Sequence, residues 1–211
     1  MKITTAKFIT FEGIDGCGKS TQAKLFREWI ISKGSKAILV REPGGTKVSE
    51  SIRDILLNRK NLELVERTEA LLMTASRAQL TKEVILPSLE QGSWVITDRY
   101  ADSTLAYQGG GRGLSVEWLK QLNDFATYSL KPDLTFFVDV SPEEGQKRRS
   151  GVDDRIESAG LALQQKVREQ YLILAKEDPK RIIVLDGTAS VEVIQAKIQR
   201  EIEIFTAKSA E

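Results

Sequence analysis

Gly13-Ile14-Asp15-Gly16-Cys17-Gly18-Lys19-Ser20 fits the pattern G-x-x-x-x-G-K-[ST], a loop that cradles nucleotide phosphates. The flanking residues supply the context this motif needs. Phe8-Ile9-Thr10-Phe11-Glu12 reads as a short buried strand before the loop, and Ser20 to Ser32 as a helix after it. Glycines at 13, 16 and 18 reach backbone angles closed to other residues, so successive N–H groups can point at phosphate oxygens. Lys19 adds a point charge for the β- and γ-phosphates, and the Ser20 hydroxyl is a ligand for Mg²⁺. The helix that follows turns its positive dipole end toward the same oxygens. The expected phosphate-binding set is Gly13, Ile14, Asp15, Gly16, Cys17, Gly18, Lys19, Ser20 and Thr21. A glycine-rich turn that merely opens a helix is the competing reading, and the strand-loop-helix order argues against it.

The bulk composition narrows the rest. At 211 residues the chain suits one domain with a full core, and we expect a single nucleotide-kinase domain over residues 1–211. Lys+Arg 31 against Asp+Glu 30 leaves a net charge of +1, so no global pull toward nucleic acid is expected. The first residues do not resemble a signal peptide, and no run approaches the roughly 20 apolar residues of a membrane span. A cytoplasmic protein is expected. Cys17 is the one cysteine, so no internal disulfide is possible, and the chain has no histidine. Ser-His-Asp hydrolysis, His-ligated zinc and histidine acid/base chemistry are therefore excluded. Phosphoryl transfer to an acceptor that is itself a phosphate needs no strong base, because that oxygen is already anionic near neutral pH.

Along the chain, Ser35 to Val40 is a second strand, ending in Arg41-Glu42-Pro43-Gly44-Gly45-Thr46, where Pro and Gly enforce a loop and Thr46 is placed to cap a helix. That helix runs through Ile52, Ile55 and Leu56 and carries Arg53. Leu64 to about Leu89 reads as a long helix, with Leu71, Leu72, Ala75, Leu80 and Val84 as its apolar face and Arg77 among them. Arg77 has two readings: pairing with a carboxylate, or recognition of an anion or a base. Trp94-Val95-Ile96-Thr97 is the third strand, and Asp98 at its carboxyl end stands where a Mg²⁺ carboxylate is expected; a helix cap is the alternative. Gly109-Gly110-Gly111-Arg112-Gly113 reads as a mobile connector, with an anion-binding loop as the other choice.

Helix near Val116 to Tyr128, strand Leu134 to Val140, and a helix opened by Ser141-Pro142-Glu143-Glu144 come next. Lys147 to Glu157 concentrates charge around Gly151, which suits a closing lid; a solvated polar loop is the alternative. A helix from about Ser158 to Lys176, a strand Arg181 to Asp186 and a helix Val191 to Thr206 finish the chain. Five strands alternating with helices predict an α/β fold, a five-stranded parallel sheet of P-loop type covered on both faces, with its ligand at the carboxyl ends of the strands.

Phe11 to Thr21, Arg41-Glu42-Pro43-Gly44-Gly45, Asp98-Arg99-Tyr100, Tyr107-Gln108-Gly109 and Asp154-Arg155-Ile156-Glu157, taken together, resemble the successive motifs of the thymidylate kinase family. The resemblance covers almost the whole length. It implies transfer of the γ-phosphate of ATP to dTMP with Mg²⁺, giving dTDP for dTTP biosynthesis, by a homodimer whose sheet has the order 2-3-1-4-5. By position it makes Arg99 a clamp between donor and acceptor phosphates and Arg53 a contact on the monophosphate. Arg77 would hydrogen-bond thymine, with Ser103, Thr104 and Gln108 facing the base. Tyr107 would lie under the deoxyribose and crowd out a 2′-hydroxyl. Asp15 would sit near the 3′-hydroxyl and the metal shell formed with Ser20 and Asp98. Where relatives stack a Phe on thymine this chain has Met73, one helical turn before Arg77; core filler is its other reading. One version of the family carries an Arg after the loop Asp; here Gly16 stands there, so the charge is expected from the lid, with Arg149 first and Arg148 and Arg155 next. The alternatives are a kinase for another nucleoside monophosphate or a deoxynucleoside, or a P-loop regulatory ATPase or GTPase; the last would be favoured by a guanine-reading N-K-x-D motif, which does not occur.

Overall fold

Short apolar runs become the strands of a parallel sheet. In the computed structural model, which describes residues 6–149 and 154–208, β1 (Phe8–Glu12), β2 (Ala37–Arg41), β3 (Trp94–Asp98), β4 (Leu134–Asp139) and β5 (Ile182–Asp186) pair in the order β2-β3-β1-β4-β5. All four pairings are parallel, with Phe11 opposite Asp98 on one side and Phe136 on the other. This is the order the family resemblance implies. β1 is buried along its whole length, as a strand covered on both faces must be. The winding reverses direction at β1, and a ligand crevice is expected at the carboxyl ends of the strands at such a point.

α1 (Lys19–Ser32) leaves the phosphate loop and buries Ala23, Phe26 and Ile30 at helical spacing. Phe26 meets Phe11, Trp94 and Phe136 with ring centroids 5.8, 6.2 and 6.3 Å away, so the helix that presents the loop is keyed to three strands. Aromatic pairs of this kind add about 0.5–1.5 kcal/mol each beyond their burial. Thr46 Oγ1 accepts the Ser49 amide and starts α2 (Lys47–Leu57), and Ser141 Oγ accepts the Glu144 amide and starts α7 (Pro142–Arg148). Both caps are the ones expected from the residue types.

The long central helix is present, as α3 (Glu66–Leu80), a π-helical turn Thr81–Ile85 and α4 (Leu86–Glu90). Its inward face differs from the expected one. Leu71 is 50% exposed, whereas Glu69, Thr74, Ser76 and Arg77 are buried beside Ala70 and Leu80. The helix forms a cleft wall as well as core, and polar residues occupy positions that periodicity alone assigns to apolar ones. Ile55 of α2 is likewise 45% exposed.

The glycine run is not a mobile connector. After α5 (Ala101–Thr104) the chain continues as a π-helix, Leu105–Gly111, and then α6 (Val116–Ala126). A Cβ on Gly110 would lie 2.5 Å from Gln170 Cβ, and one on Gly111 3.0 Å from Leu163 Cδ1. The glycines are there so that α8 (Leu161–Glu177) can pack directly on this backbone. α8 is preceded by a short 3₁₀ turn, Glu157–Ala159, and α9 (Val191–Lys208) closes the fold against α1. Of the expected lid, about 147–157, Ser150, Gly151, Val152 and Asp153 lie outside the described residues. No helix among the described residues is long and apolar enough to cross a membrane.

Candidate active site

A cleft of about 270 Å³ opens beside the phosphate loop at the carboxyl ends of β1, β2 and β3. Asp15, Lys19, Ser20, Arg53, Met73, Arg77, Asp98, Arg99, Ser103, Thr104, Tyr107 and Gln108 all line it. The structure thus gathers every residue expected on the acceptor side, together with the loop lysine and the Ser20–Asp98 pair. A larger hollow of about 860 Å³, beside the segment that enters β4, is lined by Asp102, Phe125, Tyr128 and Arg181 and holds none of these residues.

Gly13 and Gly16 have φ of 143° and 83°, which side chains disfavour. Space is the second constraint. A Cβ on Gly13 would lie 2.6 Å from the Val138 carbonyl, and one on Gly16 only 2.0 Å from the Gly145 carbonyl of α7. The position after the loop Asp, where the resemblance leaves this chain without an arginine, is closed by the backbone of α7. Gly18 and Thr21 complete the turn into α1, and Ile14 is buried beneath the loop. The Cys17 thiol is buried, and burial pushes its pKa up, so it is a packing residue and no nucleophile.

Asp15, Lys19, Arg99 and Tyr107 form one network. Arg99 Nη2 donates to Asp15 Oδ1 at 2.6 Å and to Tyr107 Oη at 3.0 Å, Tyr107 Oη donates to Asp15 Oδ2 at 3.1 Å, and Lys19 Nζ lies 3.4 Å from Asp15 Oδ1. Burial alone would raise the Asp15 pKa, but Arg99 and Lys19 hold the carboxyl well below the usual range. Burial keeps the Tyr107 phenol protonated far above neutral pH. Arg99 adopts φ 74°, a left-handed angle rare for a non-glycine residue. Glu12 holds that turn: Oε1 accepts the Tyr100 amide at 2.7 Å, and Oε2 accepts Ser103 Oγ at 2.5 Å and Tyr171 Oη at 2.7 Å. Burial, reinforced by Asp102, raises the Glu12 pKa.

Ser20 Oγ donates to Asp98 Oδ2 at 2.5 Å. The two side chains form an all-oxygen pair facing the loop, which fits Mg²⁺: that ion takes few protein ligands and fills its shell with phosphates and water. Arg53 Nη1 donates to the Pro43 carbonyl at 2.8 Å, a neutral acceptor that leaves its charge to the cleft.

Arg77 is paired with a carboxylate, Glu42, at 2.7 Å, which is the first of its two readings, and it also lines the cleft. Thr104 Oγ1 accepts from Arg77 at 2.7 Å, and Gln108 Nε2 donates to Glu69 Oε1 at 2.8 Å. Met73 packs against the core and also lines the cleft.

None of the three lid candidates, Arg148, Arg149 and Arg155, is among the residues that line the cleft. Arg155 is 8% exposed, and donates to Glu69 Oε2 at 2.6 Å and to the Leu56 carbonyl at 2.8 Å. These bonds tie Arg155 to α2 and α3, so it is a buried, paired cation and not one of the residues that line the cleft. Arg148 pairs with Glu144 at 2.8 Å and donates to the Gly187 carbonyl at 2.8 Å. Arg149 is half-buried at the carboxyl end of α7, next to the segment outside the described residues.

Glu12, Glu42, Glu69 and Asn123, whose Oδ1 accepts from Arg77 Nη1 at 2.7 Å, were not expected from the sequence. Glu12 and Glu42 sit inside motifs whose other members drew the reading, and Glu69 precedes Met73 and Arg77 by one and two turns on one helix face. Those spacings were the available signals; Asn123 carried none.

Known proteins match this arrangement over nearly the full length. The thymidylate kinase family model matches residues 11–198. The thymidylate kinase of Caldanaerobacter subterraneus subsp. tengcongensis is 48% identical over 200 residues, spanning 94% of this chain and 96% of that protein. That of Kosmotoga olearia is 49% identical over 196 residues, spanning 92% and 94%. The crystal structure of thymidylate kinase from Ehrlichia chaffeensis superposes with a TM-score of 0.75 at 35% identity, covering 94% of this chain and 99% of that one. With a phosphate loop, an acceptor cleft and these matches in agreement, the chain is a nucleotide kinase and belongs to the thymidylate kinase family.

Proposed function

We propose that the cleft holds dTMP in line with the γ-phosphate of ATP and transfers that phosphoryl group, giving dTDP and ADP. One observation carries the reading: Lys19, Arg99, Arg53 and the base-side residues Met73, Arg77, Thr104 and Gln108 line a single cleft next to the loop. The loop N–H groups and Lys19 take the β- and γ-phosphates. Arg53 takes the acceptor phosphate, and Arg99, held by Asp15 and Ser103, stands between the two. No general base is required, because the attacking phosphate oxygen is anionic at neutral pH. The chain's task is positioning and charge stabilisation, the dominant contributions in phosphoryl transfer. Ser20 and Asp98 would hold Mg²⁺, which when bound neutralises charge on the donor phosphates.

Arg149 is the proposed lid cation for the transferring group, since Gly16 offers none and Arg149 follows Gly145, whose carbonyl lies against Gly16, by one helical turn at the end of α7. The reading includes a single kinase domain, action in the cytoplasm and a homodimer. Exposed Ile55 of α2, Leu71 of α3 and Phe125 of α6 support the dimer, as these three helices pack side by side. ADP formation measured with each nucleoside monophosphate in turn tests the proposal. dTMP is expected to give the highest kcat/KM, and preference for another monophosphate would overturn it. Sedimentation velocity reads the assembly.

A further inference from the structure

The base end of the cleft contains a cation that phosphate chemistry does not use. All the donors of Arg77 are engaged inside the protein. Nε donates to Glu42 Oε2 at 2.8 Å and Nη2 lies 2.7 Å from the same oxygen; Nη2 also donates to the Tyr100 carbonyl at 2.9 Å. Nη1 donates to Thr104 Oγ1 and Asn123 Oδ1, each at 2.7 Å. The side chains of Arg77 and Glu42 are 2% and 3% exposed.

The pairing has an unusual form. Both bonds from Arg77 fall on Oε2, while Glu42 Oε1 is buried with no hydrogen-bond partner among the described residues. A carboxylate that mattered only as an acceptor would spread two oxygens over the guanidinium fork. One amide oxygen would make the same two bonds, so what distinguishes glutamate from glutamine here is its negative charge.

A nucleoside monophosphate is a dianion at one end and a neutral ring at the other. Arg53 and Lys19 serve the charged end of this cleft. An uncompensated Arg77 would make the opposite end cationic as well, attractive to free phosphate and to the substrate turned end for end. We infer that Glu42 is a specificity-determining residue: it fixes the edge of Arg77 and cancels its charge, so that this end of the cleft takes an uncharged pyrimidine and refuses anions. This rests on the reading of the cleft as the thymidylate site, and it adds a repulsive element to an attractive one, as discrimination between ligands commonly requires.

The test uses Glu42→Gln at pH 8, above the value of about 7 to which burial, opposed by Arg77, pushes the Glu42 carboxyl. Initial rates are measured against dTMP and ATP, and inorganic phosphate is titrated as a competitor of dTMP. The KM for dTMP should rise about tenfold with the KM for ATP nearly unchanged, and the inhibition constant of phosphate should fall about fivefold, since a buried unpaired cation seeks an anion. A role in stability alone would lower the melting temperature without improving phosphate as an inhibitor. The double variant Glu42→Gln/Arg77→Gln removes both charges and leaves no unpaired cation to prevent folding; its phosphate inhibition should match that of the unsubstituted protein. Unchanged phosphate inhibition in a folded Glu42→Gln protein, or improved inhibition in the double variant, overturns the inference. Met73→Ala separates this from the parent reading. If Met73→Ala raises the KM for dTMP and Glu42→Gln changes nothing, the inference alone fails; if neither changes it, the cleft is not the thymidylate site.

Discussion

Alanine at Gly145 probes how closely α7 must lie on the phosphate loop. The new Cβ would fall 2.7 Å from the Asp15 carbonyl oxygen and 3.2 Å from Ile14 Cδ1. Close C···O contacts settle near about 3.3 Å, so the two backbones must part by about 0.6 Å. The Ile14 methyl can rotate away, but the Asp15 carbonyl is main chain and Gly16 faces it with no side chain to compress. Overpacking of this kind costs about 1–3 kcal/mol, and replacing a helical glycine returns about 1 kcal/mol, so the variant is expected to fold with little net loss of stability. Activity should suffer more. Asp15 carries the Arg99 and Lys19 contacts, and a misplacement of 1 Å near a reacting centre costs about 10²-fold in rate, so about half that shift predicts a loss of about tenfold in kcat. A coupled assay of ADP release at saturating ATP and dTMP, with a thermal melt of the same sample, measures both effects. A kcat within twofold of the parent at an unchanged melting temperature would refute the claim that this contact sets the site.

Lys19→Met should fold normally and lose about 10²-fold or more in kcat, because oriented charge at a developing transition state is worth several kcal/mol; near-normal turnover would remove the loop from the mechanism. Arg149→Ala should lower kcat more than it raises the KM for dTMP, as expected for a contact made mainly in the transition state, and an unchanged kcat would end the lid assignment. Stability should depend on Glu42 through pH. Burial, opposed by Arg77, lifts its pKa from the usual 4.5 to about 7, so between those values the folded protein holds a proton that the unfolded chain has released. Stability therefore falls as pH rises through that window, by at most about 3 kcal/mol from this group. Urea unfolding at pH 5 and pH 7.5 should show a smaller fall for Glu42→Gln, and equal slopes would contradict the buried carboxyl.

Much of the chemistry was legible because it is local. The phosphate loop spans eight consecutive residues, and its glycines, lysine and serine act through backbone angles and donors that need no distant partner. The strands were legible as short apolar runs, and the helix starts at Ser141 and Thr46 as caps. Met73, Arg77 and Thr104 were carried over by position from the family resemblance, and all three line one cleft.

What composition and spacing left open are matters of contact. Whether an arginine offers its charge to a ligand or spends it on the protein depends on carboxylates far away in sequence: Arg77 is 35 residues from Glu42, and Arg155 is 86 from Glu69. The glycine run read as a mobile connector because a glycine needed for φ and one needed for clearance are the same letter; only the position of α8 tells them apart. Gly16 is the same case, since the absence of a loop arginine was plain in the sequence but the backbone of α7 that fills its place was not. The sequence by itself determined the strand-loop-helix unit, the kind of ligand and the residues that could serve it, because short-range backbone chemistry fixes these. The tertiary structure alone decided which charges are cancelled and which remain exposed to substrate, because that depends on desolvation and on partners the fold brings together.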